Sequence, residues 1–387
     1  MRINLDYASG TPVLPEVKTA VAAALEEAGN ASSIHQGGRG ARQLLERARA
    51  QVASLLNAKP EEITFTSCGT ESNNWALRGL FAANKRKGNH LILSAIEHPS
   101  VSLVARRLEL EGGYVTILPV DRDGLASPRD LKAALKPDTV LVSVMLANGE
   151  VGTVEPITEL AAVAHEQGAL FHTDAIAAVG HVAVDVKALG VDALSFAANQ
   201  FYGPAGAAGL FVREGVRILP LLEGGGQEHG GRSGTEALPA IAGMGAAAQV
   251  AQQDLLERTM RLTQRRNRLR EGLEARISGL QVNGAWCKRL PHNLHICVDG
   301  VSSESLVLGL DGVGISAGLG SACNSKAMRP SHVLKAMGLS DEQSKGALVL
   351  SLGVPTTDEE IDRALELIPS LVQKLRNVTA LTSRANT

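Results

Sequence analysis

The chain has 387 residues, a formal net charge of −2 and 44% hydrophobic residues, so it is too long for one ordinary domain and has ample material for large cores. The near-neutral balance argues against nucleic acid or an anionic membrane as the main partner. No uninterrupted apolar run is long enough to span a bilayer, and Met1 to Asp6 has no apolar stretch of the signal-peptide kind.

Glu62 to Thr66 reads as a strand, Ser67 to Thr70 as a turn and Glu71 to Asn84 as a helix. Backbone N–H groups at Gly69 and Thr70 then point from a helix start toward any anion placed there, although on its own this pattern is an ordinary turn and cap. Further on, β-branched runs at Thr139 to Val144 and Ala169 to Thr173 alternate with the Ala-rich helical stretch Ile157 to Gln167. That rhythm is the one of βαβ units around a mostly parallel sheet. Near Gln252 the texture changes to a charged helix, Leu255 to Leu280, whose Arg261, Arg265, Arg266, Arg268 and Arg270 read as a solvated face rather than a docking surface. A last helix is expected over Asp358 to Leu375. The division that follows is a large α/β domain at 12–254 and a small domain made of 1–11 with 255–387. The four cysteines, Cys68, Cys287, Cys297 and Cys323, have neither CxxC spacing nor a disulfide framework, so a reducing cytoplasm is the default expectation.

Eight segments in fixed order carry a resemblance. They are Leu5 to Pro12, Asn30 to His35, Phe65 to Asn74, Glu97-His98, Asn148 to Thr153, Gly224 to Glu228, Arg232 to Thr235 and Gly320 to Cys323. Together they resemble the class V aminotransferase family, in particular its cysteine desulfurase (NifS/IscS-like) branch. The resemblance implies an α/β fold of the type I pyridoxal phosphate (PLP) transferase kind, and a homodimer in which Thr235 reaches the phosphate site of the other subunit. It also assigns Gly69 and Thr70 to the cofactor phosphate, Asp174 to the ring nitrogen and His98 to the ring face. Taken alone, Asp174 is an ordinary residue after a strand and His98 one histidine among ten.

One absence limits this. Residues 195–204 resemble the segment that carries the family's PLP-binding lysine, and its position holds Gln200. An amide nitrogen is not a usable nucleophile and forms no imine, so covalent cofactor binding is not expected. The neighbourhood departs too: Asn199 stands for a histidine, Ala197 for a serine, Gly149 for the second asparagine of an Asn-Asn-Glu motif and Ala177 for a glutamine. Val349 stands where the family has the arginine that clamps the substrate carboxylate. Losing a charge-assisted clamp removes about 1.5–3 kcal/mol of binding, so desulfuration of free cysteine by the family mechanism is not expected.

Cys323 remains. The resemblance makes it the sulfur carrier, with Lys326 three residues on able to lower the thiol pKa if the two meet; the alternative is a cysteine left over from ancestry. Three readings follow. In the first, Cys323 carries a persulfide or helps ligate a cluster, passing sulfur to an acceptor or iron–sulfur scaffold protein. In the second, the chain is a catalytically inactive homodimeric scaffold or regulatory subunit. The third is altered PLP or pyridoxamine phosphate chemistry without a lysine.

Overall fold

The computed structural model describes residues 2–27, 29–319 and 331–385. Strands run as β1 (Ile3–Leu5), β2 (Ile63–Thr66), β3 (His90–Ser94), β4 (Tyr114–Leu118), β5 (Thr139–Ser143), β6 (Leu170–Asp174), β7 (Ala193–Ala197), β8 (Ala208–Val212), β9 (Leu280–Asn283), β10 (Asn293–Val298), β11 (Ile315–Ala317) and β12 (Ala347–Ser351). Helices are α1 (Pro15–Leu25), α2 (Gln36–Leu56), α3 (Gly69–Asn84), α4 (Pro99–Leu110), α5 (Pro128–Ala134), α6 (Ile157–Glu166), α7 (Val186–Leu189), α8 (Leu238–Glu274), α9 (Ser303–Gly312), α10 (His332–Ala336), α11 (Asp341–Ser344) and α12 (Asp358–Ala385).

The main sheet has seven strands in the order β2-β8-β7-β6-β5-β3-β4. Strands β7, β6, β5, β3 and β4 are mutually parallel, while β8 runs antiparallel to both its neighbours. Helices cover both faces of such a sheet, and β3, β5 and β7 are accordingly buried along their whole length. In open sheets of this kind the crevice lies beyond the carboxyl ends of the parallel strands. Here those ends deliver Glu97-His98 after β3, Asn148 to Glu150 after β5, Asp174 at the end of β6 and Gln200 after β7.

A second sheet, β12-β10-β9, is antiparallel, and β1 pairs in parallel with β11 beside it. Its core, which includes Leu294, Ile296, Leu348 and Leu350, is separate from the core under the main sheet. Helix α8 belongs to both: Ile241, Met244 and Ala248 pack into the first, and Leu262, Leu269 and Leu273 into the second. The helix expected from Leu255 therefore begins at Leu238 and ends at Glu274. The stretch 240–251 is rich in Ala and Gly and gives no charged face, because much of it is buried. The basic run is only partly a solvated face, since Arg266 is buried and Arg265 and Arg268 pair with Asp358 and Asp362 of α12. Helix α12 runs ten residues past the expected end, to Ala385.

Candidate functional site

At the α3 end, Cys68 is the N-cap and the helix opens on Gly69. A Cβ at Gly69 would lie 2.2 Å from Ile176 Cδ1, so the Ile176 side chain would have to shift to admit one. The N–H groups of Gly69 and Thr70 are in the first turn and have no intrahelical acceptor. Glu71 folds back on this turn: its Oε2 accepts from Ser67 N at 2.8 Å and from Ser67 Oγ. Arg232 grips the same carboxylate through Nε to Oε1 at 2.7 Å and Nη2 to Oε2 at 3.2 Å.

Asp174 is buried. Its Oδ2 accepts from Asn73 Nδ2 at 2.6 Å and its Oδ1 from Ile176 N at 2.9 Å. Burial pushes this carboxyl up, while the Ile176 and Asn73 bonds and the charge of nearby His98 act in the opposite direction. Asn73 was not singled out from the sequence, yet its Nδ2 also donates to Ser100 Oγ at 2.9 Å. Ser100 Oγ lies 2.7 Å from His98 Nδ1, which accepts the Ser100 N–H as well. The chain of bonds runs Asp174, Asn73, Ser100, His98, with His98 Nδ1 as the acceptor of the Ser100 N–H. His98 is the exposed N-cap of α4. The available signal was spacing: Asn73 is one helical turn beyond Gly69 on α3.

The β7 end is arranged differently. Gln200 Nε2 donates to Ala8 O at 3.3 Å, and Gln200 O accepts from His181 Nε2 at 2.7 Å. Asn199 O accepts from Thr11 N at 2.9 Å and from Thr11 Oγ1 at 3.0 Å, and Thr11 Oγ1 in turn accepts from Tyr202 N at 2.6 Å. Tyr202 holds φ at 69°, a left-handed conformation that a non-glycine residue adopts only when its surroundings enforce it. Gln200 and Asn199 thus stitch the N-terminal segment to the strand-end turn. Around Gly149 there is space, the nearest neighbour of an added Cβ being Ala177 Cβ at 3.6 Å.

Val349 is buried in β12, opposite His295 in β10, and bridges Gly318. Directly opposed residues of an antiparallel pair share a face. What stands beside Val349 is therefore His295, whose Nε2 lies 3.8 Å from Glu150 Oε1. Burial lowers His295 to about 3 and pushes Glu150 up to about 8, with a Ser331 bond opposing the latter. At neutral pH His295 therefore supplies no positive charge beside Val349.

The loop after the main sheet is pinned from within. Glu228 accepts from Arg49 Nη1 and Nη2 at 2.8 and 2.7 Å and from Phe65 N at 2.8 Å, with both side chains buried. Glu228 and His229 hold φ at 49° and 56°, strain that the bidentate pair sustains. Four residues beyond Glu228 comes Arg232, and Thr235 follows on the same loop. Cys323 and Lys326 lie outside the described residues. Among those described, Cys68 and Cys287 are exposed and Cys297 is buried.

Residues 3–364 match the Aminotransferase class-V family. The chain belongs to that family. A cysteine desulfurase IscS of Methanosarcina thermophila is 45% identical over 383 residues, covering 99% of this class V chain and 95% of the relative. One from Dictyoglomus turgidum is 44% identical over 97% and 96%. Among solved structures, a NifS-like protein superposes with a TM-score of 0.91 at 33% identity over 97% of this chain and 100% of that one. A NifS-like protein from Rickettsia africae gives 0.87 at 28% over 96% and 100%. The α/β architecture of this class V protein is that of the NifS-like proteins, and it is a homologue of cysteine desulfurases along essentially its whole length. Among the described residues no helix is long and apolar enough to cross a membrane.

Proposed function

We propose that this protein is a cysteine desulfurase-like member of the class V family that works in sulfur transfer through Cys323 and no longer binds PLP covalently. The observation that carries the reading is the use made of Gln200. Its amide donates to Ala8 O, so the group at the lysine position serves as a tether and offers no nucleophile.

The remaining residues fit a cofactor held without a covalent bond. Asp174 is a buried carboxyl whose two hydrogen bonds come from neutral donors, and the adjacent Asn73 Oδ1 is buried with no hydrogen-bond partner among the described residues. A protonated ring nitrogen would give Asp174 the cation that burial of a carboxylate calls for. Gly69 and Thr70 would hold the phosphate, with Thr235 of the partner subunit completing the site, and His98 would cover the ring. When bound, PLP supplies an electron sink for charge developing next to its ring. The chain's own residues orient that ring from Asp174 and His98, but Val349 and neutral His295 offer no guanidinium to a substrate carboxylate.

The sulfur step assigned to Cys323 needs no cofactor. Its thiolate attacks the outer sulfur of a donor persulfide, a new S–S bond forms, the donor's S–S bond breaks, and the donor leaves as a thiolate. An acceptor protein or iron–sulfur scaffold then takes the sulfur by the same exchange. Whole-chain similarity to proteins named cysteine desulfurase supports this class of partner. The test is mass-spectrometric mapping of sulfane sulfur and of alkylation on all four cysteines, followed by a Cys323→Ala variant in cells. Uptake at Cys323 with loss of the pathway in the variant is expected. No uptake and a fully functional variant would leave the inactive homodimeric scaffold.

A further inference from the structure

One indole just beyond β9 is ringed by positive charge. Trp286 is 37% exposed, and the guanidinium carbons of Arg270, Arg266 and Arg289 lie 3.9, 5.0 and 5.6 Å from its ring centre. Arg266 and Arg270 are one turn apart on α8, and Arg289 comes from the segment between β9 and β10. Arg266 and Arg289 are buried, yet their hydrogen bonds among the described residues go to neutral acceptors. Arg266 donates to Asn267 Oδ1 at 2.8 and 3.2 Å and to Leu290 O at 2.9 Å. Arg289 donates to Ala285 O at 3.2 Å, to Val151 O at 2.8 Å and to Asn283 O, and its Nη1 is buried with no hydrogen-bond partner among the described residues. Burial and the neighbouring guanidiniums lower both to about 10, with Asp123 acting in the opposite direction on Arg289, so both are charged at neutral pH. A buried cation without a carboxylate partner is costly, and an indole face offsets only part of that cost.

We propose that Trp286 and Arg270 are the docking point for an acidic segment of a partner protein, Trp286 taking an apolar side chain and Arg270 a carboxylate. Charge complementarity selects this occupant. Arg266 and Arg289 hold the patch positive from within, and a carboxylate at the surface supplies the countercharge that neither finds in a hydrogen-bonded partner. Arg270 is the accessible member of the three. A guanidinium lying over an indole keeps its N–H fork free for a carboxylate. At present the fork meets carboxylates of its own helix, Nη2 bonding Glu271 Oε1 at 3.2 Å and Nε lying 3.6 Å from Glu274 Oε2. Both acids are exposed, and exposed pairs of this kind contribute little, so a partner's carboxylate can replace them. Trp and Arg are also the residue types that dominate binding energy at protein interfaces. Cys287 and Lys288, exposed beside Trp286, widen the face without adding an acid. Neither Cys323 nor the lysine position enters into this docking, so its failure would leave the sulfur-transfer reading untouched.

The chain carries its own reporter. It has two tryptophans, and Trp75 is buried and bonded to Leu219 O, so a change in emission on adding a ligand reads Trp286. The probe is a short peptide of alternating Asp and Leu, unlabelled for emission and fluorescein-labelled for anisotropy, with a Lys and Leu peptide as the control, both titrated into the full chain. Saturable, salt-sensitive binding of the acidic peptide alone is expected. Trp286→Ala and Arg270→Gln should each weaken it about tenfold, the scale of one anchoring contact, with Arg270→Lys in between. Glu271→Gln frees Arg270 and should tighten binding, a sign that a merely structural stack does not produce. No saturable binding by the wild type, or binding indifferent to Arg270→Gln and Glu271→Gln, would overturn the proposal. Citrate saturating the emission change where the peptide does not would make the patch a small-anion site, and a Trp286-dependent rise in sedimenting mass without peptide would make its occupant a second copy of the chain. Either result overturns the acidic partner.

Discussion

At the α3 end of the crevice the polar groups are arranged so that a phosphate or a ring nitrogen could share or replace their partners, whereas at the β7 and β12 end they have turned inward. Among the described residues Asp174 has neutral donors and no hydrogen-bonded cation, Asn73 Oδ1 has no hydrogen-bond partner, and Arg232 pairs with Glu71. By contrast, the Gln200 side chain is bonded to Ala8 O, the main-chain carbonyls of Gln200 and Asn199 are taken by His181 and Thr11, and Val349 lies in a buried strand beside His295. On the proposed reading, covalent chemistry and ligand binding are separable. The first needs one nucleophile and one clamp; the second is distributed over the ends of several strands and one helix.

The largest expected effect breaks the comparison at its inward-turned end. Sulfide release from L-cysteine should be below that of the desulfurase relatives by more than about 10- to 10²-fold, the scale of one lost charge-assisted clamp before the missing lysine is counted, and borohydride should fix no chromophore to the chain. Gln200→Lys alone should restore little, because Val349 still offers no cation; Gln200→Lys with Val349→Arg should restore more. Full recovery in the single variant would show that the clamp matters less than the geometry suggests.

Next in size is the buried pair that holds the loop of Arg232 and Thr235. Arg49→Met leaves Glu228 as an uncompensated buried carboxylate and should cost about 3–5 kcal/mol in chemical denaturation. A loss below about 1 kcal/mol, the scale of an exposed pair, would mean that the loop does not depend on it.

Glu97 sharpens the comparison from between the two ends. Its Oε1 accepts from Ser94 Oγ at 2.6 Å and Met145 N at 2.8 Å, and burial pushes it up to about 8 against those bonds. The folded state therefore keeps a proton that the unfolded chain releases above its ordinary value of 4.5. The contribution is complete below that value and is lost as pH rises toward 8, at about 1.4 kcal/mol per pH unit. Glu97→Gln should be near neutral in stability at pH 5 and stabilising by roughly 3 kcal/mol at pH 8, as urea midpoints would read. A difference that does not change with pH would remove Glu97 from the account.

The smallest effect concerns the proposed dimer. Thr235→Ala should weaken pyridoxamine 5′-phosphate binding by about 1 kcal/mol, one neutral hydrogen bond, without changing a dimer seen by sedimentation. A monomer at micromolar concentration would remove the shared site altogether.

Much of this was legible in the chain. Gly69 and Thr70 sit at a helix start because strand, turn and helix signals fall within one short stretch, and β5, β6 and α6 lie within a residue or two of their expected bounds. What the residues did not reveal depends on distant partners. Gln200 is visibly a missing nucleophile, but its service as a tether needs Ala8, 192 positions away. Glu71 lies within the Phe65 to Asn74 segment, yet its partner Arg232 is at a separation of 161. Asn73 reads as a polar helix residue until α4 and β6 bring Ser100 and Asp174 to the same amide. Helix α8 was cut short for another reason: an Ala-rich segment buried between layers shows no amphipathic stripe, and periodicity cannot find its start.

The unbroken course of α8 bears on how the protein melts. Its 37 residues extend about 55 Å at 1.5 Å per residue, and its two halves are embedded in different cores. Near the middle, Arg258 is buried, bonded to Gly180 O at 3.4 Å and paired with Asp254, its guanidinium carbon 5.0 Å from the Tyr202 ring centre. Neither core can lose its share of this helix without exposing apolar surface that the other half still holds in register. Calorimetry should accordingly record one cooperative heat-absorption peak, and amide exchange at residues 250–262 should be as slow as in the central strands.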